Sequence, residues 1–232
     1  MIYVGTSGYS YKEWKGSFYP QTLPPKDMLS YYAERFKAVE LNNTFYRLPK
    51  PEMIESWKAQ VPQGFRFTMK ASQGITHFRR LKDATGATSL MLERFSVFED
   101  RLGAVLFRLP EDFKKDRARL ETFVQDLPAE MPAVFEFRHE SWFDDEVLAL
   151  LRRHNRVLCI SDRDEMPLNH IDKTSDWGYV RLRRVNYSDA DLKAWIKRIK
   201  AQKWKTTYVF FKHEDEGTGP KLAARFIELT DY

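Results

Sequence analysis

Apolar positions along this chain fall into short runs with period-two alternation, and between most runs the spacing lengthens to that of a helix. The strand-like runs are Ile2–Thr6, Ala38–Thr44, Phe65–Ala71, Gly103–Leu109, Ala133–Arg138, Val157–Asp162, Gly178–Leu182 and Thr207–Lys212. Helical patterns cover Pro51–Gln60, Met91–Leu102, Arg117–Leu127, Asp144–His154, Ala190–Ala201 and Pro220–Leu229. The first of these opens on proline and acid, and the one at Asp144 runs from acidic to basic, as the helix dipole favours. The connection Arg163 to Asp176 carries no helical pattern. Eight strands alternating with helices, with no linker and no internal repeat, predict an α/β protein. The expected architecture is a single (β/α)8 TIM-type barrel over residues 1–232, one domain, its sixth helix short or irregular. An open, doubly wound sheet is the alternative.

Within the strands, polar side chains recur on one face. Phe135 and Phe137 share one side of the fifth run while Glu136 and Arg138 share the other. The second run sets Val39 and Leu41 against Glu40 and Asn42, and the third sets Phe67 and Met69 against Thr68 and Lys70. The seventh opposes Val180 and Leu182 to Tyr179, Arg181 and Arg183, and the eighth opposes Val209 and Phe211 to Tyr208, Phe210 and Lys212. If the apolar set packs on helices, the polar set lines the barrel. Isolated buried ion pairs would explain one such strand, but burying many charges is costly and an apolar replacement is often neutral, so repetition points to ligand chemistry at the C-terminal mouth.

Charge sharpens this picture. The chain carries 38 Lys+Arg against 33 Asp+Glu, a formal +5, which suits an anionic ligand without requiring nucleic acid. At the mouth Lys70, Arg108, Arg138, Arg181, Arg183 and Lys212 outnumber Glu40, Glu136 and Asp162. Glu40, Glu136, Lys70 and Arg138 are therefore the catalytic candidates, with a carboxylate as general acid or base. Asn42, Arg108, Asp162, Arg181, Arg183 and Lys212 are candidates for substrate contact, as are His77, His139 and His213 near strand ends. Aromatic residues fill the loops: Tyr9, Tyr11, Trp14, Phe18 and Tyr19 in the first, Phe45 and Tyr46 after the second strand, Trp142 and Phe143 after the fifth. Trp14, Tyr46 and Trp142 complete the substrate-contact set, since rings beside a basic floor can stack on a sugar or base; the alternative is a packed lid. Gly217 and Gly219 precede the last helix and could present amides to a phosphate, although Glu214, Asp215 and Glu216 stand just before them.

Several of these segments together resemble the YecE-like family, known as domain of unknown function 72. They are Gly5-Thr6-Ser7-Gly8-Tyr9-Ser10-Tyr11-Lys12-Glu13-Trp14, Glu40-Leu41-Asn42-Asn43-Thr44-Phe45-Tyr46, Phe67-Thr68-Met69-Lys70-Ala71, Ile75-Thr76-His77, Leu106-Phe107-Arg108-Leu109-Pro110 and Glu136-Phe137-Arg138-His139-Glu140-Ser141-Trp142. The resemblance runs over nearly the whole chain and implies a TIM-type barrel; it implies no particular reaction or cofactor. Arg183-Arg184 stands where many members have His-Gly after the seventh strand, and Lys212-His213 where many end the eighth in asparagines. Both departures make the mouth more basic and point to a more anionic ligand.

Metal chemistry competes. His77, His139 and His213 with Glu40, Glu136 and Asp162 would suffice for a carboxylate/histidine site, as in metal-dependent isomerases and nucleases. No His-x-His, His-Glu-x-x-His or clustered Asp motif supports it, and no residue is assigned to a metal. No nucleophile elbow is present, and the single cysteine, Cys159, sits between apolar neighbours and excludes an internal disulfide. No signal peptide or membrane-spanning run is seen, so a cytoplasmic, membrane-independent protein is expected. The leading expectation is an enzyme acting on a phosphate- or carboxylate-bearing small molecule or nucleotide. A non-catalytic nucleic-acid-binding protein is the alternative from another class.

Overall fold

In a computed structural model, which describes residues 1–163, 171–212 and 217–230, eight strands form one parallel sheet in the order β1-β8-β7-β6-β5-β4-β3-β2. They are β1 (Ile2–Thr6), β2 (Ala38–Leu41), β3 (Arg66–Lys70), β4 (Leu102–Arg108), β5 (Ala133–Glu136), β6 (Val157–Asp162), β7 (Gly178–Leu182) and β8 (Thr207–Phe211). Around them lie α1 (Met28–Ala33), α2 (Pro51–Ala59), α3 (Thr85–Ser96), α4 (Arg117–Asp126), α5 (Asp145–Arg153), α6 (Asp189–Ala201) and α7 (Thr218–Thr230). The chain is a (β/α)8 TIM-type barrel. No helix among the described residues is long and apolar enough to cross a membrane.

Alternation along each strand sorts the core into two layers. Val39, Phe67, Val105, Phe107, Phe135, Ile160, Val180 and Val209 belong to the large cluster between strands and helices. Ala38, Ala104, Leu106, Val134, Val157, Cys159, Tyr179, Tyr208 and Phe210 form a second cluster inside the barrel. Small residues on β2 and β4 face large rings from β7 and β8, so the interior is filled rather than hollow. Cys159 is part of this filling, and burial pushes its thiol well above the usual range, which suits core rather than nucleophile.

The seam between β1 and β2 closes differently from the others. Its ladder is reduced to a bridge between Ser7 and Glu40, with the Gly8 amide donating to the Glu40 carbonyl at 2.7 Å. Below that point the fully buried Tyr32 of α1 inserts its hydroxyl between the strands, accepting from the Thr6 amide at 2.8 Å and donating to the Ala38 carbonyl at 3.0 Å. A side chain thus replaces a missing rung, satisfying two backbone groups that burial would otherwise orphan. Gly5 is needed beside it, because a Cβ there would lie 2.0 Å from the Ala38 carbonyl oxygen.

All eight expected strands are present, with small differences of extent. β2 stops at Leu41 because Asn43–Phe45 turn into a 3-10 helix. The third helix begins at Thr85 rather than Met91 and ends at Ser96, since Glu99 adopts a left-handed backbone (φ +53°) and Leu102 already belongs to β4. The six-residue α1 was too short to leave a periodic signal. Between β6 and β7 the expected irregular connection lies partly outside the described residues, and 171–177 contain no helix.

Tyr32→Phe should leave the Thr6 amide and Ala38 carbonyl unpaired, costing about 2–6 kcal/mol at roughly 1–3 for each buried group. Thermal melts check the loss, and hydrogen exchange should speed up at the Thr6 amide first. A melting temperature within 2 °C or so of wild type would show the hydroxyl to be dispensable.

Candidate functional site

At the centre of the barrel Arg181 joins two carboxylates from strands on other sides. Its Nη1 donates to Glu136 Oε2 at 2.6 Å and its Nη2 to Glu40 Oε1 at 2.8 Å, with all three side chains essentially buried. Glu40 is saturated: Oε1 also accepts from Ser7 at 2.6 Å and Asn42 at 3.3 Å, and Oε2 from the Tyr179 hydroxyl at 2.6 Å. Thr68 lies 3.0 Å from that same hydroxyl. Burial works to raise the Glu40 carboxyl, but Arg181 and these hydrogen bonds outweigh it and hold the group below the usual carboxylate value.

Glu136 is different. Burial again pushes upward, and Arg181, Arg108 and Arg183 together pull its carboxyl below the usual value, so it stays ionised. Yet its Oε1 is buried without a hydrogen-bond partner among the described residues and lies 3.6 Å from Arg183 Nη1. One oxygen is fixed by a direct hydrogen bond and the other is not.

Above this triad sits a crowd of cations. In the parallel register Lys70 lies beside Leu106 and Arg108 beside Glu136, so strands β3, β4 and β5 stagger Lys70, Arg108 and Glu136 around one rim. Arg138, just past β5, has its pKa pushed down to about 9 by burial and by Arg108, Arg163, Arg183 and Arg181. The same forces, burial and then neighbouring arginines, lower Arg108 and Arg183, each partly relieved by Glu136. Arg108 Nε, Arg138 Nε and Nη1, and Arg183 Nη1 are buried with no hydrogen-bond partner among the described residues. Glu111, a largely exposed side chain, reaches this layer and bonds to Arg138.

Lys70, at the end of β3, faces this layer with 8% of its surface exposed. Its Nζ stands over the Phe45 ring at 3.7 Å, while His77 meets the same ring edge-on at a centroid distance of 4.8 Å. Burial and then Arg108 and Arg181 push Lys70 down to about 8, and burial, Lys70 and Arg108 push His77 down to about 4, so the imidazole is neutral at pH 7.

Not every candidate joins this constellation. Asp162 does not face the mouth: its Oδ2 accepts from Arg184 Nε at 2.9 Å, the Tyr187 hydroxyl at 3.0 Å and Trp195 Nε1 at 3.1 Å, on the helix side of β6. Strand alternation carries the reason, since Asp162 shares a face with the outward Ile160 and not with Cys159. Trp142 is fully buried, stacked on Phe137 at 4.8 Å with its Nε1 donating to the Phe113 carbonyl at 2.6 Å. Trp14 is likewise buried, against Tyr11, Phe18 and Tyr19, so the first loop packs on itself and on α1 instead of offering rings to a ligand. His139 caps the turn at Glu140–Trp142 by accepting from the Ser141 amide at 3.2 Å. Tyr46 is 74% exposed just beyond β2. Lys212 directly follows β8 with the inward parity of Phe210, and His213 lies outside the described residues. Gly217 is wedged against Ser17 with φ +73°, an explanation for the glycine in packing.

Arg181 itself, expected as a substrate contact, is 2% exposed and lies beneath the mouth, its Nη1 and Nη2 bonded to the two carboxylates and its Nε buried without a hydrogen-bond partner among the described residues. Arg163, Ser7 and Phe45 are the site neighbours that sequence reasoning did not select. Extending the β6 parity from Cys159 past Ser161 would have found Arg163. The carboxylate/histidine metal set does not assemble: among the described residues no three His, Cys, Asp or Glu side chains converge, and Arg181 fills the space between Glu40 and Glu136.

Comparison with known proteins agrees with the barrel. The chain is 23% identical to the UPF0759 protein YunF of Bacillus subtilis, with 100% of the chain and 95% of that protein covered. It is 32% identical to the UPF0759 protein YecE of Escherichia coli K12 over 62% of the chain and 50% of that protein. The crystal structure of a DUF72 family protein from Thermotoga maritima superposes with a TM-score of 0.89 at 29% identity, each chain covered completely. The family model described as protein of unknown function DUF72 matches residues 3–232, and the chain belongs to that family.

Proposed function

We propose that this protein is an enzyme that holds an anionic substrate at the C-terminal barrel mouth and uses Glu136 as a general base. The observation carrying this reading is the Glu136 oxygen, ionised and buried, that has no hydrogen-bond partner among the described residues, under guanidinium N–H groups that find none there either. Buried donors and acceptors are rarely left unpaired, and each costs about 1–3 kcal/mol, more when charged. A phosphate- or carboxylate-bearing molecule supplies acceptors to Arg108, Arg138 and Arg183, for which guanidinium forks are well shaped. A hydroxyl or acidic C–H on the same molecule would meet Glu136 Oε1. A carboxylate held ionised by a lowered pKa favours the base role over the acid role, between which residue type alone leaves the choice open. Arg181 and Glu40 then act from below, fixing the second oxygen of Glu136 so that the first points into the mouth.

Sulfate, which does not titrate near neutrality, probes the anion site directly. At sulfate tenfold above its Kd the melting temperature should rise by about 3–6 °C in low-salt buffer. Arg183→Gln should abolish most of that rise while leaving the unliganded protein as stable as wild type or up to about 1 kcal/mol more stable, because a repelling cation is removed. Equal sulfate shifts in both proteins would sink the anion site.

Glu136→Gln should cost about 3 kcal/mol, near the low end for a broken buried pair, because Glu40 still neutralises Arg181. The fold should survive, and turnover of any substrate identified should fall by roughly 10²–10⁴-fold. Unchanged turnover in a folded variant removes Glu136 from the reaction.

A further inference from the structure

Lys70 is a buried amine with no carboxylate at ion-pairing distance among the described residues. Its contacts are the Phe45 face at 3.7 Å and, through the backbone, the Thr44 hydroxyl donating to its carbonyl at 2.7 Å, which anchors the strand end. Its charged neighbours are unfavourable: Arg108 and Arg181 press on it more strongly than Glu40 and Glu136 relieve it. The nearest imidazole, that of His77, is neutral and is turned to Thr76, 2.9 Å from its Nδ1. The arginines of this layer keep their charge in the same setting, whereas an amine can give up its proton there. A lysine meant to attack needs it, since desolvation and adjacent cations are the two ways a protein keeps an amine unprotonated.

We propose that Lys70 is a nucleophile that condenses with the carbonyl group of the anionic substrate, so that the substrate class is a carbonyl-bearing anion such as a 2-oxo acid or a phosphorylated sugar. This rests on the anion-site reading above, in which Arg108, on the strand next to Lys70, takes the phosphate or carboxylate. In the condensation the free amine of Lys70 adds to the carbonyl carbon, forming the N–C bond while the carbonyl oxygen takes up a proton. The nitrogen gives up its two protons, one to the oxygen during addition and one as the C–O bond breaks, so the oxygen departs as water, and a proton returned to the imine nitrogen makes it an iminium. The imine left behind is an electron sink next to the substrate's own C–H groups, and Glu136 Oε1 is the base available to deprotonate one of them. No oxidant or reductant is consumed, and water reverses the linkage.

The test uses the intact protein with glyoxylate as the anionic carbonyl probe and cyanoborohydride to trap any imine, followed by peptide mapping. With a pKa of about 8 against an ordinary 10.5, the free-amine fraction of Lys70 at pH 7 is roughly 300-fold larger than that of an exposed lysine. Lower intrinsic nucleophilicity takes back part of this, and Lys70 should be labelled at least about tenfold faster than the average exposed lysine. Sulfate should protect it, and acetaldehyde, which carries no charge, should label it more slowly than glyoxylate. Lys70→Met should lose the fast adduct and keep the sulfate-induced rise in melting temperature at a reduced size. The wild-type mapping stands even if that variant does not fold. Labelling of Lys70 at the surface rate, with sulfate still binding, overturns the imine and leaves the anion site intact. Absence of both fast labelling and sulfate binding overturns both.

Discussion

The bridge from Glu40 through Arg181 to Glu136 is the interaction on which the rest of the interior depends. It crosses the barrel from β2 through β7 to β5, three strands that are not neighbours in the sheet. A charge brought this far from water is tolerated only when paired, and replacing such a set by apolar groups is often neutral for stability. Its value here is geometric. The guanidinium fork places two carboxylates at fixed positions, Glu40 locked by Ser7, Asn42 and Tyr179, Glu136 locked on one oxygen only.

The layer above would be hard to account for as scaffold. Arg108, Arg138 and Arg183 each have their charged form disfavoured by burial and by neighbouring arginines, Arg181 among them in every case, so the fold holds them against their local electrostatics. Stored repulsion of this kind is a usual feature of sites that wait for an opposite charge. Beneath it the barrel carries no such tension: the interior narrows to Ala38, Ala104, Val134 and a stack of Tyr3 on Tyr208 at 5.3 Å. The unpartnered charges gather toward the C-terminal end, where βα loops can vary without disturbing the packed floor.

The sequence by itself determined the barrel and which strand residues face its interior. Period-two alternation is strict, so Glu136, Arg181, Lys70 and Arg108 could be assigned inward from their neighbours Phe135, Val180, Met69 and Phe107 alone. The same rule placed Asp162 outward, and it became a mouth candidate only because its charge was weighed without its parity. Helix extents were less legible, since Glu99 in a left-handed turn and the six-residue α1 leave little periodic trace.

Only the tertiary structure decided which inward charges pair and which stand unpaired. Every strand offers polar residues at the same parity, and stagger between strands, which no local pattern encodes, brings Arg181 level with both carboxylates and leaves Lys70 over Phe45 with no acid at ion-pairing distance among the described residues. It also decided the fate of the aromatics. Trp14 and Trp142 lie in loops by sequence, yet a ring with one polar atom is most stable buried once that atom finds a carbonyl, as Trp142 does at Phe113. Side-chain type and spacing fix what a residue can do; the register and closure of the barrel fix what it meets.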